Sequence, residues 1–217
     1  MVFITVTGVD PVEGAKGKFS VKVSLSDGTH EERKEFLLFR YFCRDLPEAG
    51  ESLPEERYEA IRSADESSRA AIQAVTFLAY RDRTARELEG KLREKNYSKE
   101  ACAAAVRFAV EKRYIREDEQ LERMMHQLCE VKRYGIRRIR QEVYARRFDR
   151  DTVSAHFDRI AEELDFEEAL AERIRALPDG ALEGERRKKT VSSLLRYGFS
   201  YEEIQRELKR KDRNNGT

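Results

Sequence analysis

Arg137, Arg138, Arg140, Arg146, Arg147 and Arg150, preceded by Lys132 and Arg133, place eight cations in a stretch whose only acids are Glu142 and Asp149. Planar guanidinium groups match carboxylates and phosphates through paired hydrogen bonds, so the chemistry this cluster suits is the binding of an anionic protein or nucleic-acid surface. On a helix, positions 133, 137 and 140 share one face and Ile139 and Val143 another, which turns the cations outward and the aliphatics inward. Most charge runs are only solvated helix faces; the density here favours binding. A second run, Arg186 with Arg187, Lys188 and Lys189, adjoins a glycine-containing connection and reads equally well as a contact arm or a solubilising loop.

Catalytic constellations are lacking. None of Cys43, Cys102 and Cys129 has a His and an acid nearby in sequence, and no Ser lies in a nucleophile elbow. Paired acids such as Glu162-Glu163 and Glu202-Glu203 suit helix surfaces better than acid-base work. His126 and Cys129 are three apart on one helix and could share a metal, but His30 and His156 lie in other segments. A zinc site generally needs four ligands, so a structural role is favoured and no metal or cofactor is expected. Gly17-Lys18 superficially resembles a phosphate-binding loop, yet Phe19 stands where Ser or Thr belongs, and a plain turn is the better reading. Tyr134, Tyr144 and Tyr197 lie near basic residues and could stack on bases, although tyrosine at helix junctions more often packs. Arg81, Arg83 and Glu87 are read as a capping network rather than a contact site.

The elements that must hold the basic stretch repeat. Tyr97, Phe148 and Phe199 are spaced 51 residues apart (148−97 and 199−148). Leu92, Val143 and Leu194 stand five residues earlier, Ser98, Asp149 and Ser200 one later, Cys102, Val153 and Ile204 five later, and Val106, Phe157 and Leu208 nine later. This is helix, tight turn, helix: Ser or Asp caps the second helix, and Asn96, Arg147 or Gly198 ends the first in a left-handed conformation, at some cost for Arg147. Thr84 with Glu87 forms a capping box. A first helix precedes each pair, with Ile72, Val75 and Leu78 as its apolar face in the first unit, Leu121, Met124, Leu128 and Val131 in the second, and Phe166, Leu170, Ile174 and Leu177 in the third. The predicted fold is mainly α: three tandem three-helix repeats forming an elongated curved body, behind a small β-containing N-terminal segment.

The expected boundaries are a β-rich segment with a short helix within 53–61 over 1–66, repeats over 67–114, 115–164 and 165–211, and a disordered tail over 212–217. Strands are predicted over Val2 to Val6, Phe19 to Leu25 and Glu35 to Phe39, with Gly8 to Pro11 between the first two. Charge alternates in blocks: 9 basic and 14 acidic side chains over 1–66 (net −5), 8 and 2 over 132–150 (net +6), 2 and 8 over 161–183 (net −6), and 9 and 4 over 184–211 (net +5). Blocks of opposite sign point to partner surfaces or to contact between units. No apolar run approaches the roughly 20 residues of a membrane span, and the unpaired cysteines suit a reducing compartment, so a cytoplasmic protein without membrane contact is expected.

The run Leu78-Ala79-Tyr80-Arg81-Asp82-Arg83-Thr84-Ala85-Arg86-Glu87-Leu88, with Leu92, Tyr97 and Tyr114-Ile115-Arg116-Glu117-Asp118, resembles the RecX family of recombination regulators over Ser67 to Lys211. The sequence departs from the usual pattern at Asn96 and Arg147, where glycine is common, at Leu121 in place of an aromatic, and in the charged stretch 183–189. The resemblance implies a non-enzymatic protein that lies in the groove of the RecA filament on single-stranded DNA, inhibits ATP hydrolysis and strand exchange, and modulates the DNA-damage response. It would act as a monomer, with at most weak single- or double-stranded DNA binding. The alternative is a tandem helix-turn-helix-like protein acting directly on nucleic acid; against it, the third helices offer little for base readout, with Ala101, Ala103, Ala104 and Ala105 in one and Glu202, Glu203 and Glu207 in another.

Overall fold

The computed structural model describes residues 2–214 except 179, without the side chains of 212–214. Three strands, β1 (Phe3–Pro11), β2 (Lys18–Ser26) and β3 (Glu31–Phe39), form an antiparallel meander in the order β1-β2-β3. They run longer than the sequence predicts. Gly8 to Pro11 does not end β1; a register shift between Val6 and Gly8 absorbs an extra residue as a bulge, and pairing resumes to Pro11 opposite Phe19. Between β2 and β3, the Asp27 carboxylate accepts hydrogen bonds from the backbone of Thr29 (2.8 Å) and His30 (2.7 Å) and closes the turn. Gly17 lies in the β1–β2 turn, and Lys18 is the first residue of β2 with its ammonium 4.7 Å from the centre of the Phe39 ring.

The expected short helix is the beginning of α1 (Glu55–Tyr80), which runs 26 residues without a break. Its first half packs Tyr58, Ile61 and Ala64 onto Ile4, Val6, Val21, Val23, Phe36 and Leu38 of the sheet. Its second half packs Ala70, Ala71 and Ala74 against α2 (Ala85–Arg93) and α3 (Lys99–Glu111), through Leu88, Leu92, Cys102, Ala105 and Ala109. The boundary expected at residue 66 therefore falls inside a helix. The buried face also differs from the expected one: Ile72 is 40% exposed, and alanines meet alanines instead, which lets the helices approach closely. At β3, the Leu37 and Phe39 N–H groups donate to Asp65 (2.6 Å) and Ser68 (3.0 Å) of α1, so the edge of the sheet is capped by helix side chains. These elements form one compact unit, 1–115.

A second compact unit, 116–217, carries α4 (Glu117–His126) with a π-helical turn (Gln127–Val131), α5 (Ile136–Arg146), α6 (Arg150–Glu163), α7 (Phe166–Arg175), α8 (Gly184–Arg196) and α9 (Tyr201–Asn214). One continuous core joins them, from Leu121, Met125 and Leu128 through Ile139, Val143 and Phe157 to Leu194, Phe199, Ile204 and Leu208. Val131, expected in the apolar stripe, is 72% exposed because the π-turn shifts the phase of the helix at its end. The backbone of α9 continues through 214; beyond that, the tail expected over 212–217 lies outside the described residues.

The repeat's chemistry is carried out at each turn. Asn96 and Arg147 adopt φ of 64° and 59°, and Gly198 a φ of 97°. Ser98, Asp149 and Ser200 cap their helices by accepting from the N–H of Ala101, Thr152 and Glu203. A further member of the repeat is Glu66, Glu117 and Glu168, again 51 apart (117−66 and 168−117). Glu66 accepts from the N–H and hydroxyl of Ser98 at 2.7 and 2.8 Å, and Glu117 accepts from the N–H of Asp149 at 2.6 Å. In the third copy Glu203 takes over, closing a capping box on Ser200 at 2.6 Å. Glu66→Ala is therefore expected to destabilise by about 1–2 kcal/mol, the worth of charge-assisted bonds to a helix entrance. Glu168→Ala, which breaks an exposed pair with Arg175, should cost under about 1 kcal/mol. Thermal denaturation of the two variants distinguishes them, and equal losses would remove the repeat interpretation.

Candidate partner-binding face

The predicted basic residues sort into two groups. One is occupied within the fold. Arg133 has a left-handed backbone (φ 54°) and pairs with Glu172, while the carbonyls of Lys132 and Arg133 accept from the Arg173 guanidinium at 2.5 and 3.1 Å. Arg173 itself lies 3.3 Å from the centre of the Tyr197 ring, so it clamps the turn that leads into α5. Arg138 pairs with Glu142 at 2.6 Å and covers Tyr134, and Arg146 stands over Phe148. Position 133 therefore does not extend the α5 face as expected.

The other group faces solvent. Ile139 and Val143 are buried, which turns Arg137, Arg140, Gln141 and Tyr144 outward; with Ile136 they line a shallow depression. Arg147 follows at the C-cap and Arg150 opens α6, both exposed. Arg137, Arg147 and Arg150 have no ion pair among the described residues. Arg140 has one long contact, 3.7 Å to an exposed Asp158, and stacks 4.9 Å from the centre of Phe157. Tyr144 is 84% exposed in the middle of this row, whereas Tyr134 and Tyr197 pack on one another with ring centres 5.8 Å apart. The face thus offers guanidinium groups with little internal neutralisation around one aromatic ring.

Arg187, Lys188 and Lys189 lie in the first turns of α8, where the helix dipole disfavours cations. Lys188 is offset by Glu185 at 3.0 Å; Arg187 and Lys189 have no ion pair among the described residues. They form a second, separate basic feature.

At the junction of α5 and α6, the Thr152 N–H, foremost among several hydrogen bonds, holds the Asp149 carboxyl below its ordinary pKa of 3.8. A depressed carboxylate adds stability that is present above its unfolded pKa and lost as pH falls through the folded one. Asp149→Asn is expected to flatten the stability-versus-pH curve below about pH 4; an unchanged acid limb in denaturation measurements would count against this cap.

The other candidates behave structurally. Arg83 is buried with its guanidinium 5.6 Å from the centre of Phe77, and Glu87 completes the Thr84 capping box at 3.1 Å. Cys129 is buried in the core, and desolvation pushes its thiol pKa up to about 11. No described helix is long and apolar enough to cross a membrane.

Residues 72–108 match the family model for the RecX first three-helix domain. A solved structure of regulatory protein RecX superposes with a TM-score of 0.68 at 19% identity, covering 93% of this chain and 98% of that one. RecX from Lactobacillus salivarius gives a TM-score of 0.60 at 20% identity, over 69% of this chain and 98% of that one. No curated protein sequence matches. The first helical unit thus matches the model of a RecX-type three-helix domain, and the chain shares its fold with those two structures.

Proposed function

We propose that this protein binds the RecA nucleoprotein filament in the cytoplasm, as a monomer, and restrains its ATP hydrolysis, strand exchange and signalling of DNA damage by occupying the filament groove. The observation that carries the reading is the row Arg137, Arg140, Tyr144 and Arg147 on a RecX-type chain: cations weakly neutralised from within, held outward by the buried Ile139 and Val143. An acidic protein surface satisfies such a row through paired guanidinium–carboxylate bonds. Many contacts of this kind, made by linked helical units, sum to a useful affinity without any active site.

Tyr144 keeps a second reading open, direct binding of nucleic acid with a base stacked on the exposed ring. The test is RecA ATP hydrolysis on single-stranded DNA with this protein titrated in, beside its binding to the bare DNA. Inhibition well below one molecule per RecA protomer, with weak and steeply salt-dependent DNA binding, is expected. No inhibition with tight DNA binding would transfer the face to the nucleic-acid reading.

A further inference from the structure

The packing of α4 on α6 brings together three groups that sequence spacing does not. Glu122 and His126, one turn apart on α4, meet Glu163 at the end of α6, with one ligand atom from each lying within 4.8 Å of the others. One turn further along the same stripe, the Glu130 carboxylate is 2.7 Å from His126 Nδ1. A carboxylate only accepts, so Nδ1 is the donor to Glu130, and in the neutral ring Nε2 is then the nitrogen with a free lone pair. A carboxylate behind an imidazole is the arrangement that orients histidine ligands and raises their basicity.

We propose that Glu122, His126 and Glu163 bind a divalent transition ion of the zinc class, with Glu130 as the positioning residue of His126. Imidazole with two carboxylates selects such ions over magnesium or calcium, which favour all-oxygen sites. Bonds of about 2.0–2.2 Å require the ligand atoms to close to within about 3.5 Å of one another, which rotation of two half-exposed glutamates supplies. The present occupant of the space between the acids is Arg159, 2.7 Å from Glu163 and 3.7 Å from Glu122. Its side chain is half exposed, so it can turn to solvent and yield both carboxylates to the ion. Three protein ligands leave a water position, and the bound ion staples the start of the second unit to the end of α6. Cys129, one of the pair that sequence spacing suggests, takes no part: it is buried in the core.

The experiment is calorimetric titration of the chelator-treated full chain with Zn²⁺, thermal denaturation with and without it, and Co²⁺ absorption. One saturable site is expected, with visible ligand-field bands, no thiolate charge-transfer band, and a rise in Tm of about 5–10 °C at a hundredfold excess over Kd. His126→Ala and Glu163→Gln should each weaken binding at least tenfold while the far-ultraviolet circular dichroism is retained, and a variant lacking His30 and His156 should bind normally. Arg159→Ala should tighten binding several-fold, because it removes the competing cation. Absence of saturable binding, a thiolate band, or affinity untouched by His126→Ala and Glu163→Gln would overturn the site.

Discussion

Gly198→Ala is expected to lower the Tm by on the order of 10 °C, from about 3–5 kcal/mol of combined backbone strain and steric overlap. Gly198 has a φ of 97°, where L side chains are rarely found. A Cβ there would stand 2.5 Å from Arg138 Cβ, 2.8 Å from the Gly135 carbonyl oxygen, and closer still to the Arg138 backbone nitrogen. These are mostly backbone atoms and cannot turn aside. The reciprocal position is as tight, since a Cβ on Gly135 would meet the Gly198 carbonyl at 2.5 Å. Two hydrogen bonds fix the approach, from the Gly135 N–H to Tyr197 (2.9 Å) and from the Arg137 N–H to Gly198 (3.3 Å). The turn after α8 thus lies backbone to backbone on the entrance of α5 and sets where the basic face begins. The same repeat position predicts the opposite sign at residue 147. Arg147→Gly relieves a left-handed arginine and should stabilise by up to about 1 kcal/mol. Circular-dichroism melts of both variants provide the check; a shift of under about 2 °C for Gly198→Ala would mean that the junction opens readily.

Reversing Arg137 and Arg140 to Glu together is expected to raise the concentration that half-inhibits RecA ATP hydrolysis by at least tenfold, with little change in Tm. Charge-assisted contacts are worth about 1.5–3 kcal/mol each when formed, and both side chains are exposed, with one long ion pair and the Arg140 stack on Phe157 as their internal contacts, so most of their loss falls on binding. Arg138→Glu is the contrasting variant. It breaks the pair with Glu142 and the contact with Tyr134, so part of its effect should be thermal destabilisation. Tyr144→Ala separates the two partner classes: weakened binding to bare single-stranded DNA with inhibition intact would assign the ring to nucleic acid. Unchanged inhibition after the double reversal would remove the α5 face from the mechanism and leave Arg187, Lys188 and Lys189 as the next surface to test.

The sequence by itself determined the unit of construction. Local chemistry at each turn is contained in a few residues: an aromatic, a capping Ser or Asp directly after it, and apolar side chains five and nine residues after the aromatic. The caps at Ser98, Asp149 and Ser200 and the left-handed Asn96 and Arg147 follow from that chemistry wherever the chain is placed. The outward turn of Arg137 and Arg140 was likewise legible, because Ile139 and Val143 fix the phase of one helix. What only the tertiary structure decided involves partners distant in sequence. Which arginines are neutralised depends on Glu172 and Asp158, brought in by other helices. Whether α1 is two helices or one depends on the sheet and the helical pair both finding an apolar face along it, and an alanine face carries too weak a periodic signal to reveal that. Gly135 reads as a helix breaker until Gly198 is packed against it, and sequence spacing pairs His126 with Cys129 until α6 delivers Glu163. Periodicity encodes which side of an element is buried, whereas the identity of its neighbour is set by how the units pack.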